Sequence, residues 1–182
     1  MVLWIVLAIV ILLVVVYISI YNKIIKMKNR VESSSAQIDA HLKQRYDLVP
    51  NLVEIVKGYA KHEKETLTAV IEARNVALNA TSLEDKESAN KGLSSALKSI
   101  FALAENYPDL KANEGFVKLQ VQLTEIEEKI LQARKYYNAV IREFNYFVEL
   151  FPSSIVANLM HQNKRNYLEI DEVEKKRVDI KF

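Results

Sequence analysis

The sequence predicts an all-α protein: an N-terminal transmembrane helix that continues into an elongated antiparallel helical bundle, ending in a short strand-like tail. Three observations carry this. Val2 to Ile20 is uncharged; Phe116, Leu123, Ile130, Tyr137, Phe144 and Phe151 recur at seven-residue steps; and the 182 residues include only three glycines and three prolines, the residues that punctuate helices. A chain of this length holds one domain plus an anchor, at roughly 100 to 150 residues per domain. The boundaries read as residues 1–22 for the anchor, 23–160 for the bundle and 161–182 for the tail.

The anchor is the first element. Val2 to Ile20 gives about 19 residues and roughly 29 Å of helix, enough to cross a hydrocarbon core. Trp4 lies near one end, with Tyr17 and Tyr21 near the other, where amphipathic rings prefer the headgroup boundary. A cleaved signal peptide would start with basic residues and end with small ones, and Met1-Val2-Leu3-Trp4 and Ile18-Ser19-Ile20-Tyr21 do neither. Lys23, Lys26, Lys28 and Arg30 follow directly, so the positive-inside bias places the N-terminus outside and the bundle in the cytoplasm.

The next helix continues from the span without a glycine or proline before Pro50. Ile24, Val31 and Ile38 form one seven-residue row, and Met27, Ser34 and Leu42 fill the neighbouring stripe. Tyr46, Val53, Ala60 and Leu67 carry the apolar phase past Pro50, which predicts a kink there and not a stop. Lys61 to Glu65 is charged over more than a turn, so this part either projects beyond the bundle or marks a break. The pattern resumes at Leu67, Val70, Ile71, Ala73 and Ala77 and gives way near Thr81 to Asp85.

A second helix near Glu87 to Asn106 presents Leu93, Ala96, Leu97, Ile100, Phe101 and Ala104. The third starts near Asn113, a favourable cap, and carries the seven-residue row, with Leu119, Ile126, Ala133, Val140 and Phe147 completing its seam. Phe151-Pro152-Ser153-Ser154 closes it and opens a short helix through Met160, with serine as the cap. Val178, Ile180 and Phe182 then alternate with Arg177, Asp179 and Lys181, the period of a half-buried strand, for which Tyr167 to Ile170 is the hairpin partner within the chain. Open strand edges invite pairing between copies, so the tail is expected to support a homo-oligomer.

These segments closely resemble the LemA family of bacterial membrane proteins. The matching runs are Ala36-Gln37-Ile38-Asp39, Arg45-Tyr46-Asp47-Leu48-Val49-Pro50-Asn51-Leu52-Val53-Glu54, Val56-Lys57-Gly58-Tyr59-Ala60, Tyr107-Pro108-Asp109-Leu110-Lys111-Ala112-Asn113 and Ala133-Arg134. Tyr137-Asn138, Phe144-Asn145 and Phe151-Pro152 repeat an aromatic residue plus a partner at the family's spacing, with Phe144 where tyrosine is usual. The resemblance implies an inner-membrane protein with an N-terminal transmembrane helix, the N-terminus outside and a long-helix bundle in the cytoplasm. It implies no biochemical activity.

The chemistry-bearing residues are sparse. A di-iron bundle needs Glu-x-x-His pairs, but Ile38, Tyr59 and Asn158 stand three residues before His41, His62 and His161. His62-Glu63 begins a zinc-protease pattern that Thr66 ends. Gly58, Gly92 and Gly115 are too scattered to cradle a phosphate, and Ser33-Ser34-Ser35 reads as small residues at a close helix approach. With no cysteine there is no thiolate chemistry, and a formal charge of +2 spread along the chain offers nucleic acid no basic field.

No catalytic, cofactor-binding or metal residue is therefore expected. Arg45, Glu54, Arg74, Glu127, Arg134, Asn138 and Asn145 fall near apolar seams, where polar groups set helix register. The expected function is a non-enzymatic, self-assembling, membrane-anchored scaffold or adaptor of the cell envelope, whose partners are the lipid bilayer, further copies and an unidentified protein. The alternative is a membrane-linked signalling or sensing component acting on a cytoplasmic partner.

Overall fold

The computed structural model describes residues 1–169, apart from the side chains of Leu83 and Glu84. Six helices follow in order: α1 (Val2–Tyr59), α2 (Lys64–Asn79), α3 (Leu83–Ala104), α4 (Pro108–Lys111), α5 (Glu114–Glu149) and α6 (Ser153–Leu159). The described residues contain no strand, and the fold is all-α. The alternating tail from Arg177 to Phe182 lies outside the described residues, as does Ile170 of its expected hairpin partner.

α1 is helical through Pro50, the continuity expected from its unbroken apolar phase. Its uncharged run is exposed along its length until Ile20, and it is the one helix among the described residues long and apolar enough to cross a membrane. The charged stretch at Lys61 is a break: α1 stops at Tyr59, Lys61 and His62 are exposed in a turn, and α2 begins at Lys64. Lys64 and Glu65 are exposed on the first turn of α2, so the break and the helix start together carry these charges to the surface.

Two compact units divide the chain, one formed by Met1–Ile38 with the residues from Leu131 onward, the other by Asp39–Ile130. In the first, Ile24, Val31 and Ile38 of α1 are buried, as are Ala133, Tyr137, Val140, Ile141, Phe144 and Val148 of α5. Lys23 meets Phe147 whereas Arg30 meets Glu143 and Tyr136, so the two helices run in opposite directions here. Ser34 is buried with its hydroxyl donating to the Val31 carbonyl at 2.8 Å, the role of a small seam residue.

In the second unit, Leu42, Tyr46, Val49, Leu52, Val53 and Val56 of α1 are buried, with Leu67, Val70 and Ala77 of α2 and Leu93, Leu97, Ile100 and Ala104 of α3. Phe116, Leu119, Leu123, Ile126 and Ile130 of α5 complete this core, and the rings of Phe101 and Phe116 meet edge to face at 6.1 Å. Gly115 is where α5 starts close to α1: an added Cβ would stand 3.1 Å from Ile55 Cδ1. Asn113 caps α5 as expected, its Oδ1 accepting the Phe116 N–H at 2.9 Å.

Two expectations are corrected. Phe151 ends the seven-residue row on the sequence, but α5 stops at Glu149 and Phe151 is 80% exposed. Once the helix ends, the seven-residue step no longer selects a face. Ser153 does not cap α6 through its side chain; its Oγ donates back to the Phe147 and Leu150 carbonyls at 2.6 and 2.8 Å. It closes the orphan acceptors at the end of α5 instead.

Candidate functional site

The polar residues buried in each unit are the candidates, and Pro50 is the natural starting point. Proline has no N–H, so the carbonyl four residues earlier, that of Tyr46, loses its helical donor. Arg74 of α2 supplies one: its Nε donates to Tyr46 O at 3.0 Å. The Tyr46 hydroxyl donates in turn to Asn90 Oδ1 at 3.0 Å, and Asn90 Nδ2 to the Lys86 carbonyl at 2.7 Å.

Arg45 is only 4% exposed. Its guanidinium reaches Ser94 Oγ at 2.8 Å and Glu127 at 3.1 Å, tying α1 to α3 and α5. A buried guanidinium needs such partners to offset its lost hydration. Lys86 meets Asp39 at 2.8 Å on the surface of the same unit. Together these bonds fix the axial register of α1 against three helices.

Two grooves open beside this network. One of 300 Å³ is lined by Val49, Pro50, Val53, Glu54, Lys57, Ile71 and Arg74. The other, of 720 Å³, lies at the α2–α3 connection and is lined by Asp85, which accepts from Ser82 Oγ at 2.5 Å. At the far corner of the unit Tyr107 donates to Glu63 Oε1 at 3.1 Å, and that bond, with burial second, raises the phenol above its ordinary pKa.

The first unit uses asparagine differently. Asn145 Nδ2 donates to the Arg165 carbonyl at 3.0 Å while its Oδ1 accepts the Arg165 N–H at 2.9 Å. Asn138 repeats this on Leu168, with both bonds at 2.9 Å. Each amide thus satisfies one residue's donor and acceptor, as a neighbouring strand would. Seven residues of helix rise about 10.5 Å and three of extended chain cover about 10 Å, so the returning segment keeps pace with α5. These bonds hold the backbone at Arg165 and Leu168.

Of the seven seam residues named from the sequence, Arg45 and Glu127 pair in the second unit, where Arg74 binds the Tyr46 carbonyl, and Asn138 and Asn145 each hold a stretch of backbone in the first. Glu54 is exposed beside the smaller groove, and Arg134 is half-buried. Asn90, 2% exposed, was missed; it stands three residues before Leu93 on the same apolar stripe, a signal that was available. His41 lies near Gln44, while His62 and His161 are exposed in turns. Among the described residues no three histidine or carboxylate side chains gather as a metal site.

Tyr46 and Pro50, around the open carbonyl, and the paired Asn138 and Asn145 lie in segments of the resemblance noted above, and the LemA family matches residues 34–182. The chain belongs to the LemA family. Protein LemA of Metamycoplasma hominis is 26% identical over 162 residues, covering 87% of this chain and 73% of that protein. The magnetosome proteins MamQ 1 and MamQ 2 of Paramagnetospirillum magneticum are each 21% identical over 175 residues, 82% of this chain. The match covers 64% of each, so the chain spans just under two thirds of their length. LemA membership and the exposed apolar helix mark a membrane-associated protein.

Proposed function

We propose that this LemA-family protein is a non-enzymatic, membrane-anchored scaffold or adaptor of the cell envelope. One observation carries the reading: α1 is exposed over its uncharged run and becomes a buried core element from Ile24 onward, so a single helix offers one surface to lipid and another to protein. In this reading the span crosses the inner membrane with its N-terminus outside, because Lys23, Lys26, Lys28 and Arg30 follow it. Confinement to one plane raises the effective concentration of copies and favours a homo-oligomer. The buried Arg45 and Asn145 and the half-buried Arg74 and Asn138 support the same view, since all four are engaged in fixing helices and backbone.

Purification in mild detergent with a mass measurement tests the assembly. A complex heavier than one chain, alone or with a co-purifying protein, supports the scaffold; a bare monomer counts against it. Protease added to intact cells should leave the helical units whole, and their digestion without lysis would reverse the orientation. A turnover activity abolished by a point change in the core would replace the scaffold with an enzyme.

A signalling role is the second reading, favoured by the continuity of α1 through Pro50. Cross-linking across residues 24 to 42 separates the two. A pattern that changes with an envelope stimulus supports signalling, and one fixed pattern supports a passive scaffold.

A further inference from the structure

The end of α5 and the whole of α6 form an apolar tip beside the membrane end of α1. Lys23, the first charged residue after the span, holds its Nζ 4.4 Å from the centre of the Phe147 ring. Because α5 runs opposite to α1 in this unit, Leu150 lies about 4.5 Å further toward the span, at roughly 1.5 Å per residue. That is the level of Ile20 and Tyr21. Packing reaches this level without a gap, since Ile20 is half-buried and Ile24 fully buried.

The chain turns back here. α6 follows α5, and the segment after it rises along α5 again, Arg165 at Asn145 and Leu168 at Asn138. α6 therefore lies in the turn at the span-side end of α5. Val156 and Ala157 point into the protein, whereas Leu150, Phe151, Ile155 and Leu159 are 61%, 80%, 54% and 67% exposed. From Leu150 to Met160 there is no charged side chain. Glu149 at its edge is neutralised by Lys164, and the exposed Lys23 stands over Phe147 beside it.

We infer that this tip is a membrane foot: Leu150, Phe151, Ile155 and Leu159 enter the interfacial layer of the same bilayer that α1 crosses. The foot rests on the bilayer reading of α1 and adds a second contact to it. The occupant is lipid because the surface is continuous with the span, lies at its headgroup level and is edged by lysines that suit acidic headgroups. The span alone would leave the unit free to tilt. A foot about a turn of helix away fixes the angle at which the helices leave the membrane.

Trp4 is the single tryptophan, which makes the test direct. The full chain is reconstituted in vesicles of phosphatidylcholine and phosphatidylglycerol whose acyl chains carry bromine, a contact quencher of indole fluorescence. Native Trp4 reports the span. Trp4→Phe/Leu159→Trp and Trp4→Phe/Phe151→Trp report the foot, and both place the indole at exposed positions that leave the core intact. Blue-shifted emission quenched by the brominated lipid in both variants is expected. Emission typical of indole in water overturns the foot, and so does a blue shift without quenching, which would mean cover by protein such as a second copy. If those results come with Trp4 still quenched, only the foot fails. If Trp4 is also unquenched, the bilayer reading fails with it.

Discussion

Arg74 donates its Nε–H to the main-chain carbonyl of Tyr46 at 3.0 Å, the acceptor that Pro50 deprives of its helical N–H. An interior proline is tolerated because a side chain from the next helix replaces the missing donor. Arg74→Leu should therefore destabilise the purified protein by about 1 to 2 kcal/mol. Restoring the donor within the helix should remove much of that cost, so Arg74→Leu in a Pro50→Ala background should lose clearly less. A double-mutant cycle by denaturant unfolding measures the coupling, and strict additivity would show that the two positions do not share the carbonyl.

The asparagine clamps make a residue-resolved prediction. Asn145→Ala should speed hydrogen exchange at the Arg165 amide, and Asn138→Ala at the Leu168 amide. Each should cost about 1 to 3 kcal/mol, because a donor and an acceptor lose partners together. Exchange rates unchanged at both amides would mean that the segment is held by something other than the clamps.

Phe144 is fully buried, with the Arg165 guanidinium 5.3 Å from its ring centre. Phe144→Ala should cost roughly 3 to 5 kcal/mol. Thermal melting in detergent checks this, and an unshifted transition would misplace the core of the first unit.

His161 ends α6 with φ at 51°, a left-handed conformation usually given to glycine. Its N–H donates to Asn158 O at 3.0 Å, and that of Gln162 to Ala157 O at 2.9 Å, closing the helix. His161→Gly should be stabilising by about 1 kcal/mol, since glycine adopts this φ without strain. A lower melting temperature would assign the imidazole a role of its own.

Tyr107 predicts a pH dependence. Its phenol pKa is raised by donation to Glu63, so the bond is fully present below the ordinary value of about 10 and is lost as pH rises through the folded value. Tyr137 acts with the same sign through burial, which the charge of Arg165 opposes. Tyr107→Phe should flatten the alkaline fall in melting temperature. An alkaline limb identical to the parent's would remove the Tyr107–Glu63 bond from the account.

Much of the fold was legible because apolar rows survive as long as a helix does. Ile24, Val31 and Ile38 are all buried, as are Phe116, Leu123, Ile130, Tyr137 and Phe144. Phe151 fails because a sequence period carries no information past Glu149, where the chain turns. For the polar residues, position was legible and partnership was not. Arg74 and Asn145 stood out near seams, but their partners are main-chain atoms, which every residue possesses and no sequence pattern marks.

Main-chain recognition of this kind is blind to side-chain identity and strict about counting. Both asparagines grip only N–H and C=O groups, and Asn166 and Tyr167 between the grips are exposed. Those two positions are free to drift in composition with little penalty. The interval is not: three residues must match two helical turns, so a single insertion between Arg165 and Leu168 would put one clamp out of step, while many substitutions there would pass unnoticed.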